Sequence, residues 1–378
     1  MGELRCPQCG TEPTGVAPWR CPACGSPLEI ELPAADPATL IGPGDGVWRY
    51  RGWLPVADAV ALGEPTTALV DLAGAGGGRV LAKLEGGLPT GSFKDRGTAL
   101  TMSWLRSRGV RELVVDSSGN AGASFAAYAA AAGLKLRVFV PADASPAKLL
   151  QVRAHGATLV TVAGSRSATG DAARAAAEAS APEVAYASHL WHASFLAGTA
   201  TFAYELFEQL GNRAPHAVVV PLGGGTLLLG LHLGFTRLHA AGLIDAVPRL
   251  IGVQSTACAP LARAFEAGAD DAGAIEPGST IAEGIRIALP PRSRQILVAI
   301  RETSGEIIEV TDDEIRASLR ELLDRGLFVE PTSATAHAGL AHVSPGALGS
   351  ETIVLGLTAH GLKAASAIDD VLLEHRER

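Results

Sequence analysis

The chain has 378 residues, a length that accommodates two domains or one large domain with a small module. Hydrophobic residues make up 47% of it and charged residues 19%, as in soluble globular proteins. The net charge of -8 argues against a nucleic-acid-binding surface and a polybasic membrane anchor. The sequence predicts no transmembrane helix, and its N-terminal residues lack the apolar segment of a signal peptide. We therefore expect a cytoplasmic protein.

Four of the five cysteines lie within the first 24 residues, as two Cys-x-x-Cys pairs. The pairs are formed by Cys6 with Cys9 and by Cys21 with Cys24. Each pair turns two thiolates toward one point, and four sulfurs match tetrahedral zinc. Because sulfur fills every coordination position, the predicted zinc is structural rather than catalytic. A disulfide or free thiols are the alternatives, and a nucleic-acid role is disfavoured by the acidic flanking residues.

Residues 33–46 are rich in Pro, Gly, Ala and Asp and predict a linker. Beyond it, apolar runs typical of strands alternate with alanine-rich helical segments. Strands are predicted at Leu113–Val115, Leu136–Val140, Thr158–Val162, Ala217–Val220, Arg249–Val253 and Ile353–Leu357. Helices are predicted at Ala121–Ala132, Ala168–Glu178 and Asp312–Arg325. The alternation predicts an α/β fold with largely parallel sheets that are covered on both faces.

A lysine lies at the start of a predicted helix. Lys94 belongs to the segment Pro89–Gly97, and the helix is expected to run through Leu105. The positive local field at a helix start helps to keep the amine unprotonated and nucleophilic, as Schiff-base chemistry requires. A solvated lysine at a helix end is the alternative interpretation.

Two further segments follow predicted strands and precede predicted helices, where α/β folds bind ligands. The first is Ser117-Ser118-Gly119-Asn120, whose backbone N–H groups suit an anion such as a carboxylate. The second is Gly223-Gly224-Gly225-Thr226, whose glycines let the backbone wrap around a phosphate. Each alone is compatible with an ordinary helix start or turn. With Lys94 they form the set that a pyridoxal-phosphate (PLP) enzyme acting on amino acids needs.

These motifs carry a resemblance to a known family. The chain resembles the fold-type II PLP enzymes, and among them the zinc-ribbon-containing subgroup of the threonine synthase family. The matching segments, beyond the two cysteine pairs, are Val47–Tyr50, Pro89–Gly97, Ser117–Ser124, Pro221–Thr226, Thr280–Ile285, Glu330–Ala334 and Thr358–Lys363.

The resemblance implies an architecture. It is a tryptophan synthase β-like fold with two doubly wound α/β domains and an N-terminal zinc ribbon. The expected divisions are a zinc ribbon at 1–32, a linker at 33–46, a large PLP-binding domain at 47–100 and 206–378, and a small mobile domain at 101–205. The resemblance also implies a homodimer.

The resemblance further implies residue roles. Lys94 would hold the cofactor as a Schiff base and later shuttle protons, with Phe93 packed beside the cofactor. Substrate carboxylate would bind at Ser117, Ser118 and Gly119. The remaining cofactor contacts would be Asn120 at the phenolic oxygen, Gly223, Gly224, Gly225 and Thr226 at the phosphate, and Thr358 at the pyridine nitrogen. A neutral hydroxyl there leaves the nitrogen unprotonated and gives Lys94 more of the proton transfer.

The implied reaction converts O-phospho-L-homoserine and water to L-threonine and phosphate, in threonine biosynthesis. The chain departs from the family pattern at Glu64–Leu69, at Leu88, at His189–His192 and at Ala197–Thr201, and the lysine of the last motif is missing. Arg96, Lys148 and Lys363 are available for a substrate phosphate, and a surface charge is the alternative interpretation of each. The alternatives are a related serine or threonine ammonia-lyase, a β-replacement synthase, or a non-catalytic binding protein on the same scaffold.

Overall fold

The computed structural model describes residues 2–72, 78–146, 148–164, 166–182, 184–343 and 351–376. The strands are β1 (Leu4–Arg5), β2 (Glu29–Ile30), β3 (Ala68–Asp71), β4 (Arg79–Leu84), β5 (Glu112–Val115), β6 (Lys135–Pro141), β7 (Thr158–Val162), β8 (Val184–Tyr186), β9 (Ala217–Pro221), β10 (Arg249–Ser255), β11 (Glu306–Val310) and β12 (Thr352–Leu357). The α-helices are α1 (Lys94–Ser107), α2 (Asn120–Ala132), α3 (Leu150–Ala154), α4 (Arg166–Ala179), α5 (Ala193–Thr199), α6 (Thr201–Gln209), α7 (Thr226–Ala240), α8 (Pro260–Glu266), α9 (Ser293–Glu302), α10 (Asp312–Asp324), α11 (Pro331–Leu340) and α12 (Ala365–Arg376). Within these residues, none of the helices has the length and hydropathy needed to cross a membrane.

The chain forms two compact units. The first comprises Met1–Pro65 and Lys94–Thr201, and the second comprises Thr66–Phe93 and Phe202–Arg378. Each unit therefore contains two separate stretches of chain. The domain boundaries expected from the family resemblance stay a proposal; residues 47–65, expected in the large domain, belong here to the first unit.

The first unit is built on a parallel four-stranded sheet in the order β7-β6-β5-β8. Leu113 and Val115 of β5 pack in an apolar cluster with residues of α1, α2 and α5, whereas Val114 joins a separate cluster with α4. Successive side chains of a strand point to opposite faces, so both faces of the sheet are buried. At the start of the unit, β1 and β2 pair antiparallel and flank the two cysteine pairs.

Helices α1 and α5 approach each other closely because glycines line their contact. A Cβ on Gly97 would lie 2.6 Å from the ring of Phe195, and one on Gly198 would lie 2.2 Å from the carbonyl oxygen of Arg96. Neither position has room for a side chain. The contact fixes Phe195 beside the first turn of α1.

The second unit is built on a six-stranded sheet in the order β11-β10-β9-β12-β4-β3. All neighbours are parallel except β3, which pairs antiparallel with β4 at the edge. The central strand β9 is buried along its whole length, as expected for a parallel strand covered on both faces. Helix α10 begins with a capping box in which Thr311 and Glu314 satisfy each other's backbone N–H groups.

The α/β prediction is confirmed. All six predicted strands and all three predicted helices are present, with ends that differ by at most two residues. Strands β1, β2, β3, β4, β8 and β11 were not among the strands predicted from the sequence. These strands are short or carry charged residues among the apolar ones, such as Lys83 in β4 and the glutamates of β11.

Candidate active site

Lys94 is the first residue of α1 and is partly buried. Its Nζ lies 6.0 Å from the ring centroid of Phe195, and the His189 ring lies 5.7 Å from the same ring, centroid to centroid. Burial, together with the positive charges of Lys94 and Arg166, lowers the pKa of His189 well below its usual value. His189 is therefore a neutral imidazole at physiological pH.

His192, three residues further on, is a packing residue. It is buried, its Nδ1 lies 2.7 Å from the Ser194 hydroxyl, and its ring packs edge-on against Trp104. The two histidines of this stretch thus lie in different environments.

The expected carboxylate segment joins β5 to α2. Ser117 and Ser118 are partly exposed, and Asn120 is the first residue of α2. A Cβ on Gly122 would lie 1.9 Å from the Ser117 carbonyl oxygen, so only glycine allows the chain to turn this tightly. The backbone N–H groups of the first turn of α2 are the groups that suit a carboxylate.

Asp116 anchors this segment and was not singled out from the sequence. Its carboxylate is buried and accepts hydrogen bonds from the Tyr186 hydroxyl at 3.0 Å and from Arg166 at 3.2 Å. Burial is the main cause that raises the pKa of Tyr186 well above its usual value, and the negative charge of Asp116 is the second. The phenol therefore stays protonated and donates to Asp116.

The glycine-rich segment joins β9 to α7. Gly225 precedes α7 with φ of 72°, and Thr226 is the first residue of that helix. A Cβ on Gly223 would lie 2.8 Å from the Ile285 Cα, so the backbone passes close to its neighbour there. The turn and the start of a long helix form a backbone concavity suited to a phosphate.

Thr358 follows β12 and is held by a residue of the Glu330–Ala334 motif. The Ser333 hydroxyl lies 3.1 Å from that of Thr358 and accepts the Ala359 N–H at 3.0 Å. The Thr358 carbonyl in turn accepts the Phe93 N–H at 2.9 Å. The chain immediately before Lys94 is thereby attached to the end of β12.

Two of the cations considered for a substrate phosphate have structural contacts. Arg96 is fully buried and donates to the Thr201 hydroxyl at 3.3 Å. Lys363 donates to the Thr90 carbonyl at 3.1 Å. Leu88, a departure from the family pattern, is buried.

The four N-terminal cysteines converge. Cys6 Sγ lies 3.5 Å from Cys24 Sγ, Cys9 Sγ lies 3.6 Å from Cys21 Sγ, and all four sulfurs lie within 4.8 Å of one another. Sulfurs around a tetrahedral zinc are about 3.8 Å apart, given Zn–S bonds of about 2.3 Å. The donor set therefore fits a structural zinc ion.

The chain matches the family model of pyridoxal-phosphate dependent enzymes over residues 60–359. Its fold is similar to that of L-serine ammonia-lyase from Rhizomucor miehei, with a TM-score of 0.72 and 22% identity over 84% of this chain and 99% of that one. It is also similar to a threonine deaminase from T.th., with a TM-score of 0.67 and 31% identity over 78% of this chain and 92% of that one. These matches define a PLP-dependent enzyme and confirm the predicted fold class.

Similar proteins of known function identify the family within the PLP-dependent enzymes. Threonine synthase of Methanosarcina acetivorans is 31% identical over 99% of this chain and 95% of its own length. Threonine synthase of Mycobacterium leprae is 36% identical over 94% of this chain and 91% of its own length. The chain belongs to the threonine synthase family of PLP-dependent lyases, as the sequence motifs predicted.

The described residues fit PLP. The turn at Gly223 and Gly225 has no room for side chains, and the helix that follows supplies N–H groups for a phosphate. The buried Thr358 hydroxyl is neutral, and Lys94 supplies a primary amine. Backbone N–H groups, a neutral hydroxyl and a primary amine are the kinds of group that a phosphate, a pyridine nitrogen and an aldehyde require.

Proposed function

We propose that this enzyme is a threonine synthase, which converts O-phospho-L-homoserine and water to L-threonine and phosphate. The observation that carries the proposal is the similarity to threonine synthases over 99% of the chain, including the cysteine-rich N-terminal segment. The retained lysine and both anion-binding turns support it.

PLP, when bound, supplies an electron sink that stabilises negative charge developing on the substrate. Lys94 holds the cofactor through its amine and then moves protons at Cα and Cβ of the substrate. We assign cofactor phosphate to Gly223, Gly224, Gly225 and Thr226, the phenolic oxygen to Asn120, the ring nitrogen to Thr358, and ring packing to Phe93.

The segment Ser117-Ser118-Gly119 binds the substrate carboxylate in this proposal. Its N–H groups stand at the start of α2, where partial positive charge favours an anion. His189, neutral and adjacent to the ring that Lys94 faces, is available as a hydrogen-bonding group for the substrate side chain.

We further propose that Cys6, Cys9, Cys21 and Cys24 hold one structural zinc ion. From the family resemblance we also propose a homodimer in the cytoplasm and the domain division 1–32, 33–46, 47–100 with 206–378, and 101–205. Metal analysis of the purified protein should give one zinc per chain, and a Cys9→Ser Cys21→Ser variant should lose it.

The lysine assignment is tested by absorption spectroscopy. Purified wild-type protein should show the absorption band of a protein-bound Schiff base, and Lys94→Ala should lose both the band and the activity. The control is Lys135→Ala, an exposed lysine at the start of β6, which should keep both. A band that persists in Lys94→Ala would refute the assignment.

A second candidate is a threonine ammonia-lyase, favoured by the 31% identity to a threonine deaminase and by the missing lysine at Ala197–Thr201. That reaction needs only loss of the Cα proton and β-elimination. Ammonia and a keto acid formed from threonine, without phosphate release from O-phospho-L-homoserine, would favour it over the first proposal.

A further inference from the structure

Trp19, in the loop between the two cysteine pairs, is part of the core of the first unit. Only 9% of its surface is exposed, and it packs in one apolar cluster with Val114 of β5 and Ala173 of α4. Its ring meets those of Tyr186 and Trp191 edge-on, at centroid distances of 4.9 and 5.0 Å. The cysteine-rich segment therefore covers one face of the four-stranded sheet with an aromatic side chain.

Tyr186 links this contact to the candidate site. It ends β8, where it is paired in register with Val114 of the neighbouring β5. Its ring contacts Trp19, and its hydroxyl donates to Asp116, the residue directly before Ser117. A hydrogen bond is directional, so the position of the ring determines whether the hydroxyl reaches the carboxylate.

The position of the Asp116 side chain is determined by its burial and its hydrogen-bond partners. It is 6% exposed, and its second carboxylate oxygen accepts from Arg166. Its backbone leads into the tight turn that Gly122 makes possible against the Ser117 carbonyl. A shift of Asp116 is therefore transmitted to the backbone of the segment that follows it.

We propose that Trp19 and Tyr186 are positioning residues for substrate: the loop between the cysteine pairs holds Tyr186 against Asp116, and Asp116 fixes the segment Ser117–Gly119 for the substrate carboxylate. This rests on the proposed function for the role of that segment. The proposal gives the cysteine-rich segment a role in substrate binding besides its role in the core of the first unit. The link runs through packing and one hydrogen bond, and neither residue touches the substrate.

The test compares holoenzyme variants by the dissociation constant of L-threonine, titrated through the cofactor absorption band. Kinetics with O-phospho-L-homoserine accompany it. Tyr186→Phe keeps the ring that Trp19 contacts and removes the hydroxyl, and Trp19→Phe reduces the contact area on Tyr186. Both should weaken L-threonine binding and raise KM by about five- to tenfold, less than the full effect of a lost hydrogen bond to a charged group, because the bond acts on the substrate only through the segment that it positions. The kcat should stay within about twofold, and the dissociation constant of PLP should not change.

The double variant distinguishes a positioning role from a general loss of packing in the first unit. If both residues act through Asp116, the losses in Tyr186→Phe and in Trp19→Phe Tyr186→Phe should be nearly equal rather than multiplied. The control is Glu178→Gln, which removes the exposed ion pair with Arg20 at 2.9 Å while Arg20 remains over the Trp19 ring. It should bind L-threonine as the wild type does.

Wild-type affinity in Tyr186→Phe, or multiplied losses in the double variant, would overturn the proposal. If Trp19→Phe does not fold, Tyr186→Phe alone decides. A different result would show that the proposed function is wrong. The wild type would then bind amino acids but release no phosphate from O-phospho-L-homoserine. The L-threonine affinities of the variants would still test the positioning role, because that measurement does not depend on turnover.

Discussion

The hydroxyl of Ser333 lies 3.1 Å from that of Thr358, and the two residues are 25 positions apart in the chain. Ser333 also accepts the Ala359 N–H and lies 3.2 Å from the Ala359 carbonyl. One buried hydroxyl on the first turn of α11 thus orients both the Thr358 side chain and the backbone after it. Since we propose Thr358 at the ring nitrogen of PLP, we expect Ser333 to orient that cofactor contact.

Ser333→Ala should weaken PLP binding. The substitution leaves the buried Ala359 N–H without its acceptor, at a cost of about 1–3 kcal/mol, and releases the Thr358 hydroxyl. The PLP dissociation constant, measured by fluorescence titration of the apoenzyme, should rise several-fold. The control is Ser318→Ala, which removes a hydroxyl 3.1 Å from His337 Nδ1 and should lower stability alone. Unchanged PLP affinity in Ser333→Ala would argue against the assignment of Thr358.

The site features that could be predicted from the sequence are made of residues that are adjacent in the chain. Lys94, the serine-rich turn and the glycine-rich turn each lie within a short segment, and local backbone chemistry is enough to recognise them. Buried polar partners come from far along the chain: Tyr186 is 70 residues from Asp116, and Glu205 is 122 residues from Lys83. A polar residue inside an apolar strand gives no sign of its partner, because the partner is brought to it only by the tertiary fold.

A fully buried ion pair lies in the second unit. Lys83 of β4 bonds the carboxylate of Glu205 on α6, and both side chains have no exposed surface. The Lys83 ammonium also donates to the Thr67 carbonyl and to the Gln209 side chain, each at 2.7 Å. Glu205 accepts the Thr67 N–H at 2.7 Å. The pair therefore fixes the chain as it enters β3.

Lys83→Met should lower the free energy of unfolding by about 3–5 kcal/mol, because it leaves the Glu205 carboxylate buried without its cation. Replacing both partners, as in Lys83→Met Glu205→Leu, should recover part of this loss. Arg79→Met is the matched control: its pair with Asp71 is exposed, and the cost should be at most about 1 kcal/mol. Chemical denaturation measures all three. Equal effects for Lys83→Met and Arg79→Met would contradict the interpretation.

Gly122→Ala should disrupt the carboxylate segment. Its Cβ would be placed 1.9 Å from the Ser117 carbonyl oxygen, a distance that forces the backbone of that segment to move. We expect KM for O-phospho-L-homoserine to rise about tenfold or more, the equivalent of roughly 1.4 kcal/mol. Gly273→Ala is the control, since a Cβ there meets nothing within 4 Å. A normal KM in Gly122→Ala would mean that this turn does not position the substrate.

His189 should make the protein sensitive to acid. Its pKa is lowered on folding, so its contribution to stability is complete above its unfolded pKa of about 6.5 and is lost as the pH falls below that value. For one proton the slope is at most about 1.4 kcal/mol per pH unit. Denaturation from pH 7 to pH 5 should therefore show a steeper loss in the wild type than in His189→Gln. Parallel curves would show that His189 is protonated as readily in the folded chain as in the unfolded one.

The central claim, phosphate elimination followed by addition of water, is tested most directly by turnover of O-phospho-L-homoserine in water enriched in ¹⁸O. The purified enzyme should release phosphate and L-threonine in equal amounts. Solvent oxygen should appear in the threonine hydroxyl and be absent from the phosphate when it is released, because the bond broken joins carbon to oxygen. Homoserine with ¹⁸O in the phosphate, or a keto acid with ammonia from threonine and no phosphate release, would contradict the account.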